Sequence, residues 1–278
     1  MALLQKAYLG STALFRNTSW FEDNDYTVVN ESSAVTVTAN STAHTKGSWS
    51  QLIASSSGNA SMIYVRVGGV FTTGVNTATL LDIGVGASGS ESAIIENVAV
   101  GGAVATGAAG ALYFVVPIQI ASGSRVSARI QSLVTGGKTA SVLVRLIDTG
   151  DYAQAPTSVD VIGTSTADSE GTAVTAANTY AQLTASTSRA YRALAFVPSV
   201  GDTTTGAVIT DYTVARGASG SEVDLQKITT SYSNDESVRS IDFPLIAASI
   251  PSGTRLSVKV SGPTVNFSNY ASCLIGIP

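Results

Sequence analysis

The chain has 278 residues, with 15 Lys and Arg against 19 Asp and Glu, a net charge of −4 and a charged fraction of 12%. This length suits two ordinary domains, and the charge balance argues against nucleic-acid binding, which uses clustered Lys and Arg to displace counterions. Hydrophobic residues reach 44%, too many for a disordered chain, and one Cys (Cys273) with one His (His44) excludes an intramolecular disulfide and the usual protein-only zinc ligand sets.

Residues 1–32 form an N-terminal arm. Met1-Ala2-Leu3-Leu4-Gln5-Lys6 lacks the basic start and apolar run of a secretory signal, so no export is expected. No stretch approaches the ~18 apolar residues of a membrane-spanning helix, and no membrane partner is expected. Leu3, Tyr8, Leu14, Phe15, Trp20 and Phe21 make the arm too apolar for a free tail and are candidate protein-contact residues. Glu22-Asp23-Asn24-Asp25 is the densest acidic run. It lacks the spacing, glycine and distal glutamate of a calcium loop and reads as a solvated turn.

Residues 33–148 show alternation at period two, rich in Val, Ile, Thr and Tyr and bounded by Gly, Ser, Asn and Asp. Strands are predicted at 34–38, 49–54, 62–71, 78–83, 93–98, 112–120, 125–131 and 141–147. Val126, Ala128 and Ile130 alternate with Ser127, Arg129 and Gln131, so this strand is expected to bury one face and show the other to solvent. Asp148–Pro156 breaks the pattern. The linker is set at 149–156, and it is short enough that the two modules should touch.

Residues 157–278 repeat the first module. Gly86-Ala87-Ser88-Gly89-Ser90-Glu91 recurs 131 residues later at Gly217–Glu222, as does Trp49-Ser50-Gln51-Leu52 as Tyr180-Ala181-Gln182-Leu183. Ser122-Gly123-Ser124-Arg125 returns 130 residues later as Ser252-Gly253-Thr254-Arg255, which places a one-residue deletion between Glu91 and Ser122. Strands are predicted at 159–163, 180–185, 190–197, 208–215, 223–229, 238–245, 255–260 and 271–277. About eight short strands per module indicate an all-β chain of two tandem antiparallel β-sandwich, jelly-roll-like domains.

Catalytic motifs fail on inspection. Gly84-Val85-Gly86-Ala87-Ser88-Gly89 has the letters of a dinucleotide loop, but a strand follows it where a helix is required, and Ala215 replaces the first glycine in the repeat. Asp148-Thr149-Gly150 has the letters of an aspartic-protease loop without a second copy. His44 lies in a polar loop with no nucleophile elbow and reads as a surface or contact residue. Asp82 and Glu91 flank one loop, yet Asp82 becomes Thr213 in the repeat, which weakens a paired-carboxylate hydrolase. Trp20, Trp49, Tyr180, Tyr232 and Tyr270 are dispersed candidates for a sugar platform. Cys273, in an apolar run, reads as a buried inert thiol. No catalytic residue, cofactor or metal is assigned.

The pairing of Asp82–Glu91 with Phe114–Arg129, echoed at Gly217–Glu222 and Ile250–Lys259, resembles β-sandwich modules in structural proteins of tailed-bacteriophage virions. The resemblance implies a non-enzymatic virion component, assembled in the host bacterial cytoplasm and bound to other virion proteins (the major capsid protein or tail proteins) and to copies of itself as a homo-oligomer. A capsid decoration or cement protein is favoured. The alternative is a tail, baseplate or fibre component that recognises host-surface carbohydrate. Repetition also marks the Gly86–Glu91 and Gly217–Glu222 loops as contact candidates, through Ser88, Glu91, Ser219 and Glu222.

Overall fold

A computed structural model describes residues 26–68, 78–100, 112–200, 207–233, 245–262 and 270–278. The alternating segments of the first module become β1 (Thr27–Glu31), β2 (Val35–Thr38), β3 (Ser50–Ile53), β4 (Ala60–Gly68), β5 (Thr79–Val85), β6 (Ser92–Ala99), β7 (Leu112–Ile120), β8 (Val126–Ser132) and β9 (Thr139–Asp148). One antiparallel sheet runs β1-β9-β4-β7, with β2 also paired to β9, and the other runs β3-β8-β5-β6. Successive strands thus cross between facing sheets, the interlocked Greek keys of a jelly roll.

The second module repeats the plan with β10 (Asp160–Ile162), β11 (Thr164–Ser165), β12 (Glu170–Val174), β13 (Ala181–Thr184), β14 (Tyr191–Val200), β15 (Ala207–Arg216), β16 (Val223–Ser233), β17 (Leu245–Ile250), β18 (Leu256–Ser261) and β19 (Tyr270–Ile277). Its sheets run β11-β12-β19-β14-β17, with β10 on β19, and β13-β18-β15-β16. Among the described residues there is no α-helix, and the two-sandwich jelly-roll reading holds. The deletion between the copies also has a structural identity. In β6 the ladder skips between Ile95 and Val98 opposite Ile83 and Leu81, whereas β16 runs Gln226, Lys227, Ile228 without a break opposite Val214, Thr213 and Tyr212. The extra residue makes a bulge at Glu96–Asn97, where Asn97 takes φ 64.

Each sandwich buries its inward rows. In the second, Leu194, Phe196, Tyr212, Val214, Val258 and Leu274 share one cluster. The Phe196 and Tyr212 rings lie 4.9 Å apart at 52°, a tilted pair worth about 1 kcal/mol beyond its buried area. The modules do touch. Ala193, Ala195, Val197, Cys273, Ile275 and Ile277, on the back of the β14–β19 pair, belong to the same apolar cluster as the core of the first sandwich. Strand β6 meets β10, β11, β14 and β19 there. Both faces of β14 and β19 are therefore buried, which explains their nearly continuous apolar runs. Cys273 is fully buried at this junction, and burial pushes its thiol up to about 12. The inert reading of this residue fits.

Four expectations need correction. The sandwich starts earlier than residue 33, because Thr27–Glu31 pairs with β9 around a bulge at Val28–Asn30 that hides its alternation. A strand not expected from the sequence is observed at Leu245–Ile250, whereas 238–244 of the strand expected at 238–245 lie outside the described residues. The short β11–β12 hairpin, absent from the reading, folds over the first module. Finally, β8 does not show one face to water, since Ser127 is 0% and Gln131 1% exposed. The hairpin covers Gln131, whose Nε2 donates to the Thr166 carbonyl (2.8 Å) and to Ser169 Oγ (3.0 Å). His44 Nδ1 lies 3.0 Å from the same Ser169 hydroxyl, a contact histidine as expected.

Candidate functional site

The duplicated hexapeptide is held by a duplicated network. At the β5–β6 turn, Glu91 Oε2 accepts from the Gly89 amide (2.8 Å), and Oε1 pairs with Arg125 Nη1. Arg125 Nε in turn donates to Gln51 Oε1 at 3.0 Å. The β15–β16 turn repeats each part: Glu222 accepts from the Gly220 amide (2.9 Å) and from Arg255 Nη1 (3.0 Å), and Arg255 Nε reaches Gln182 Oε1 (3.0 Å). Gly86 and Gly217 sit at φ 131 and 114, where a Cβ would lie 2.9 Å from the Ser90 or Ser221 carbonyl. Only glycine fits there. These spacings survive duplication because they staple a turn to the Arg-bearing strand beside it.

This places the loop residues singled out from sequence. The Glu91 and Glu222 side chains are 1% and 8% exposed and spent inside their loops. Ser88 and Ser219 are exposed at the tips. Leu3, Tyr8, Leu14, Phe15, Trp20, Phe21 and the Glu22–Asp25 run lie outside the described residues. The glycine-rich loop leads directly into β6, so its geometry is that of a strand corner.

Burial raises the Glu91 carboxyl, but the hydrogen bonds from Arg125 and from the Glu91 and Gly89 amides outweigh it and hold the group below its ordinary 4.5. For Glu222, burial again opposes, and its own amide, Arg255 and Gly220 prevail. A carboxyl lowered in the folded state adds stability that is complete above the unfolded value and is lost as pH falls through the folded one. The Glu91→Gln/Glu222→Gln variant is therefore expected to melt lower than the wild type at pH 7 and to approach it below about pH 4. Thermal unfolding followed by circular dichroism across pH 3–7 checks this; parallel curves would mean that the staples carry no net charge interaction.

A second cluster lies on the outer face of the β3-β8-β5-β6 sheet. Asp82, its side chain 2% exposed, accepts from Lys46 Nζ (2.6 Å), Arg129 Nε (2.7 Å) and the Asn97 amide (2.8 Å). Lys46 also reaches Glu96 at 2.7 Å. Arg129 stacks 4.3 Å from the Trp49 ring centroid, and in the repeat Lys259 stacks 4.5 Å from Tyr180. Trp49 and Tyr180 thus each carry a cation over the ring. Trp20 is outside the described residues, and nothing is described of the Tyr232 and Tyr270 side chains. Thr149 Oγ1 lies 2.9 Å from Ser61 Oγ, and the Gly150 amide donates to Asp148 Oδ1 (2.9 Å). The protease-like letters are a turn into the linker.

The two modules frame a cleft of about 380 Å³ lined by Glu96, Asn97, Asp160, Thr184, Ser188 and Tyr191, among others. Its acid is occupied: Asp160 accepts from Tyr191 (2.6 Å), Arg189 Nε (2.9 Å) and Ser188 (2.9 Å). Burial pushes this carboxyl up, and the hydrogen bonds more than reverse it. Among the described residues no three His, Cys, Asp or Glu side chains gather as a metal site.

No family model matches the chain, and no curated protein matches it. Among solved structures it is similar to the STIV MCP, at TM-score 0.33 and 11% identity, over 89% of this chain and 96% of that one. It is also similar to the CBM22-1-CBM22-2 tandem domain of Paenibacillus barcinonensis Xyn10C, at TM-score 0.21 and 8% identity, over 91% and 92% of the two chains. Vicilin from Capsicum annuum follows at TM-score 0.16 and 10% identity, over 80% and 73%. Likenesses this weak have no bearing on function. The jelly roll is established by the strand order itself.

Proposed function

We propose that this chain is a non-enzymatic structural component of a virion, working through contacts with other subunits. Within that role, a capsid decoration protein of a tailed bacteriophage is favoured. The observation that carries this reading is the junction. The back of the second sandwich is an apolar packing surface, fused with the first core into one two-module brick. Such a brick presents two related sets of faces from one chain, as a repetitive shell or ring needs. The acids of the described clusters are committed to holding turns and strands together, which fits a scaffold better than acid–base chemistry.

Quantitative mass spectrometry of purified particles tests it. A large, fixed copy number is expected for a decoration protein. A few copies, in particles that fill with DNA but fail to adsorb, would move the chain to the tail. Absence from particles would overturn the proposal.

One observation favours the host-recognition alternative. Tyr64 and Tyr113 stack 5.8 Å apart on the outer face of the β4–β7 pair, with Arg145 5.8 Å from the Tyr64 ring. Half-buried tyrosines of this kind can hold a sugar face. Glycan-array binding abolished by Tyr64→Ala would establish this reading, and an array without signal would remove it.

A further inference from the structure

The cluster around Asp82 holds more than an ion pair requires. Lys46 Nζ meets Asp82 Oδ2 at 2.6 Å and Glu96 Oε1 at 2.7 Å, so an acyl carbon and a second carboxylate converge on one amine. The loop that carries Lys46 is fixed on both sides of it. The His44 amide donates to the Ser132 carbonyl (2.8 Å) and the Gly47 amide to the Ile130 carbonyl (2.9 Å), which lays the loop on β8. Glycine is needed at 47, because a Cβ there would lie 2.1 Å from the Thr38 carbonyl oxygen. Asp82 is held by Arg129 Nε on Oδ2 (2.7 Å) and by the Asn97 amide on Oδ1 (2.8 Å). Its side chain is 2% exposed, and Lys46 keeps 22% of its own in water. A nucleophile thus rests against the carboxyl group it would attack, with a base beside it, the near-attack arrangement that removes much of the entropic part of a barrier.

The second copy loses these groups together. Ala177 stands in place of Lys46, Thr213 in place of Asp82, and Lys227 alone where the Glu96–Asn97 bulge would be. That lysine meets Asp211 at the same 2.6 Å, but with 61% of its side chain in water.

We propose that Lys46 and Asp82 condense to an isopeptide bond once the chain has folded. Glu96 takes one proton from the Lys46 ammonium, and the free amine attacks Asp82 Cγ, forming the C–N bond. The Asn97 amide supports the negative charge that gathers on Oδ1. Oδ2 takes the proton back from Glu96 and a second one from the nitrogen, the Cγ–Oδ2 bond breaks, and water leaves. An ammonium and a carboxylate become a neutral amide and one water, and Glu96 returns to its starting form. The ion pairs around Asp82 are the state before this step and that of any variant that blocks it. Each chain performs the step once on itself and turns over no substrate, and the inference stands apart from the virion reading. The bond closes a loop of 36 residues and ties the approach to β3 onto β5, beyond the intervening β8. It restrains the unfolded chain as a disulfide would, in a chain whose one cysteine cannot form one internally. A condensed wild type therefore exceeds Asp82→Ala in stability by more than the ion pairs alone supply.

Intact-mass spectrometry of the purified full chain, denatured after folding, tests the inference. The wild type is expected about 18 Da, one water, below its sequence mass, and trypsin should release a branched peptide joining Lys46 to Asp82. Lys46→Arg keeps the cation but cannot form the amide, so it should show its full sequence mass. Glu96→Gln leaves amine and acid in place and should slow the condensation roughly 10²-fold or more, the loss expected for a proton-transfer group. Lys227→Arg should lose water as the wild type does. Circular dichroism should be unchanged in each variant, and if one misfolds, the wild-type mass and branch point still decide. A wild type that keeps its full mass after days in the folded state overturns the inference. So does a water loss that persists in Lys46→Arg, or a branch point at another pair. Glu96→Gln condensing at the wild-type rate would overturn the role given to Glu96.

Discussion

Cys273→Asp is expected to uncouple the two sandwiches. Aspartate is close to cysteine in size, so the change tests charge and not volume. The side chain is 0% exposed, on the back of β19, with the Ala99 backbone of β6 as its hydrogen-bonding neighbour across the junction. A carboxylate there would sit in the shared apolar cluster, and an uncompensated buried charge costs about 3–5 kcal/mol. That is a large share of the roughly 5–15 kcal/mol typical of a folded domain, and it falls on the contact between the modules. Scanning calorimetry should show one wild-type transition split into two, or its midpoint lowered by roughly 10 °C. Cys273→Ala should cost only about 1–2 kcal/mol. The native thiol, pushed up to about 12, should resist alkylation at pH 8, where roughly one molecule in ten thousand carries a thiolate. Rapid labelling, or an aspartate variant as stable as the wild type, would show that water reaches the junction.

The features that could be read from the sequence are those that local chemistry or duplication imposes. The strand at 112–120 is β7 residue for residue, because its apolar run ends in the turn at Ser122-Gly123. The Gln–Arg–Glu–Gly staples were visible only as letters kept in both copies; their meaning needed β3, β8 and the β5–β6 turn brought side by side. The features that could not be read arise from tertiary covering. Nothing in Val126–Ser132 says that a hairpin 35 to 38 residues beyond Gln131 buries it. A period-two pattern also cannot distinguish a sheet back facing water from one facing another module. The first sandwich carries Tyr64 and Arg66 where the second has Ala195 and Val197, and that contrast between copies was the available signal for the junction.

Asp82→Ala is expected to be the most damaging single change on the outer face of the first sandwich. It removes one carboxylate, leaves Arg129 and the amide of the Asn97 bulge without their acceptor, and leaves Lys46 with Glu96 alone. The two cations keep 22% and 25% of their side chains in water, so each loses less than a fully buried partner would. The amide and the broken pairs together should cost about 2–4 kcal/mol, read from urea unfolding. Non-additivity sharpens the test. Arg129→Ala in the Asp82→Ala background should cost less than it does alone, by about 0.5–3 kcal/mol, because the pair is already broken. The second module supplies a natural control. Thr213 stands in place of Asp82, the bulge is absent, and Lys259 is 3.4 Å from Asp224 instead. Thr213→Ala should accordingly change stability by less than about 1 kcal/mol. Equal losses from Asp82→Ala and Thr213→Ala would mean that the carboxylate hub does not hold the bulge.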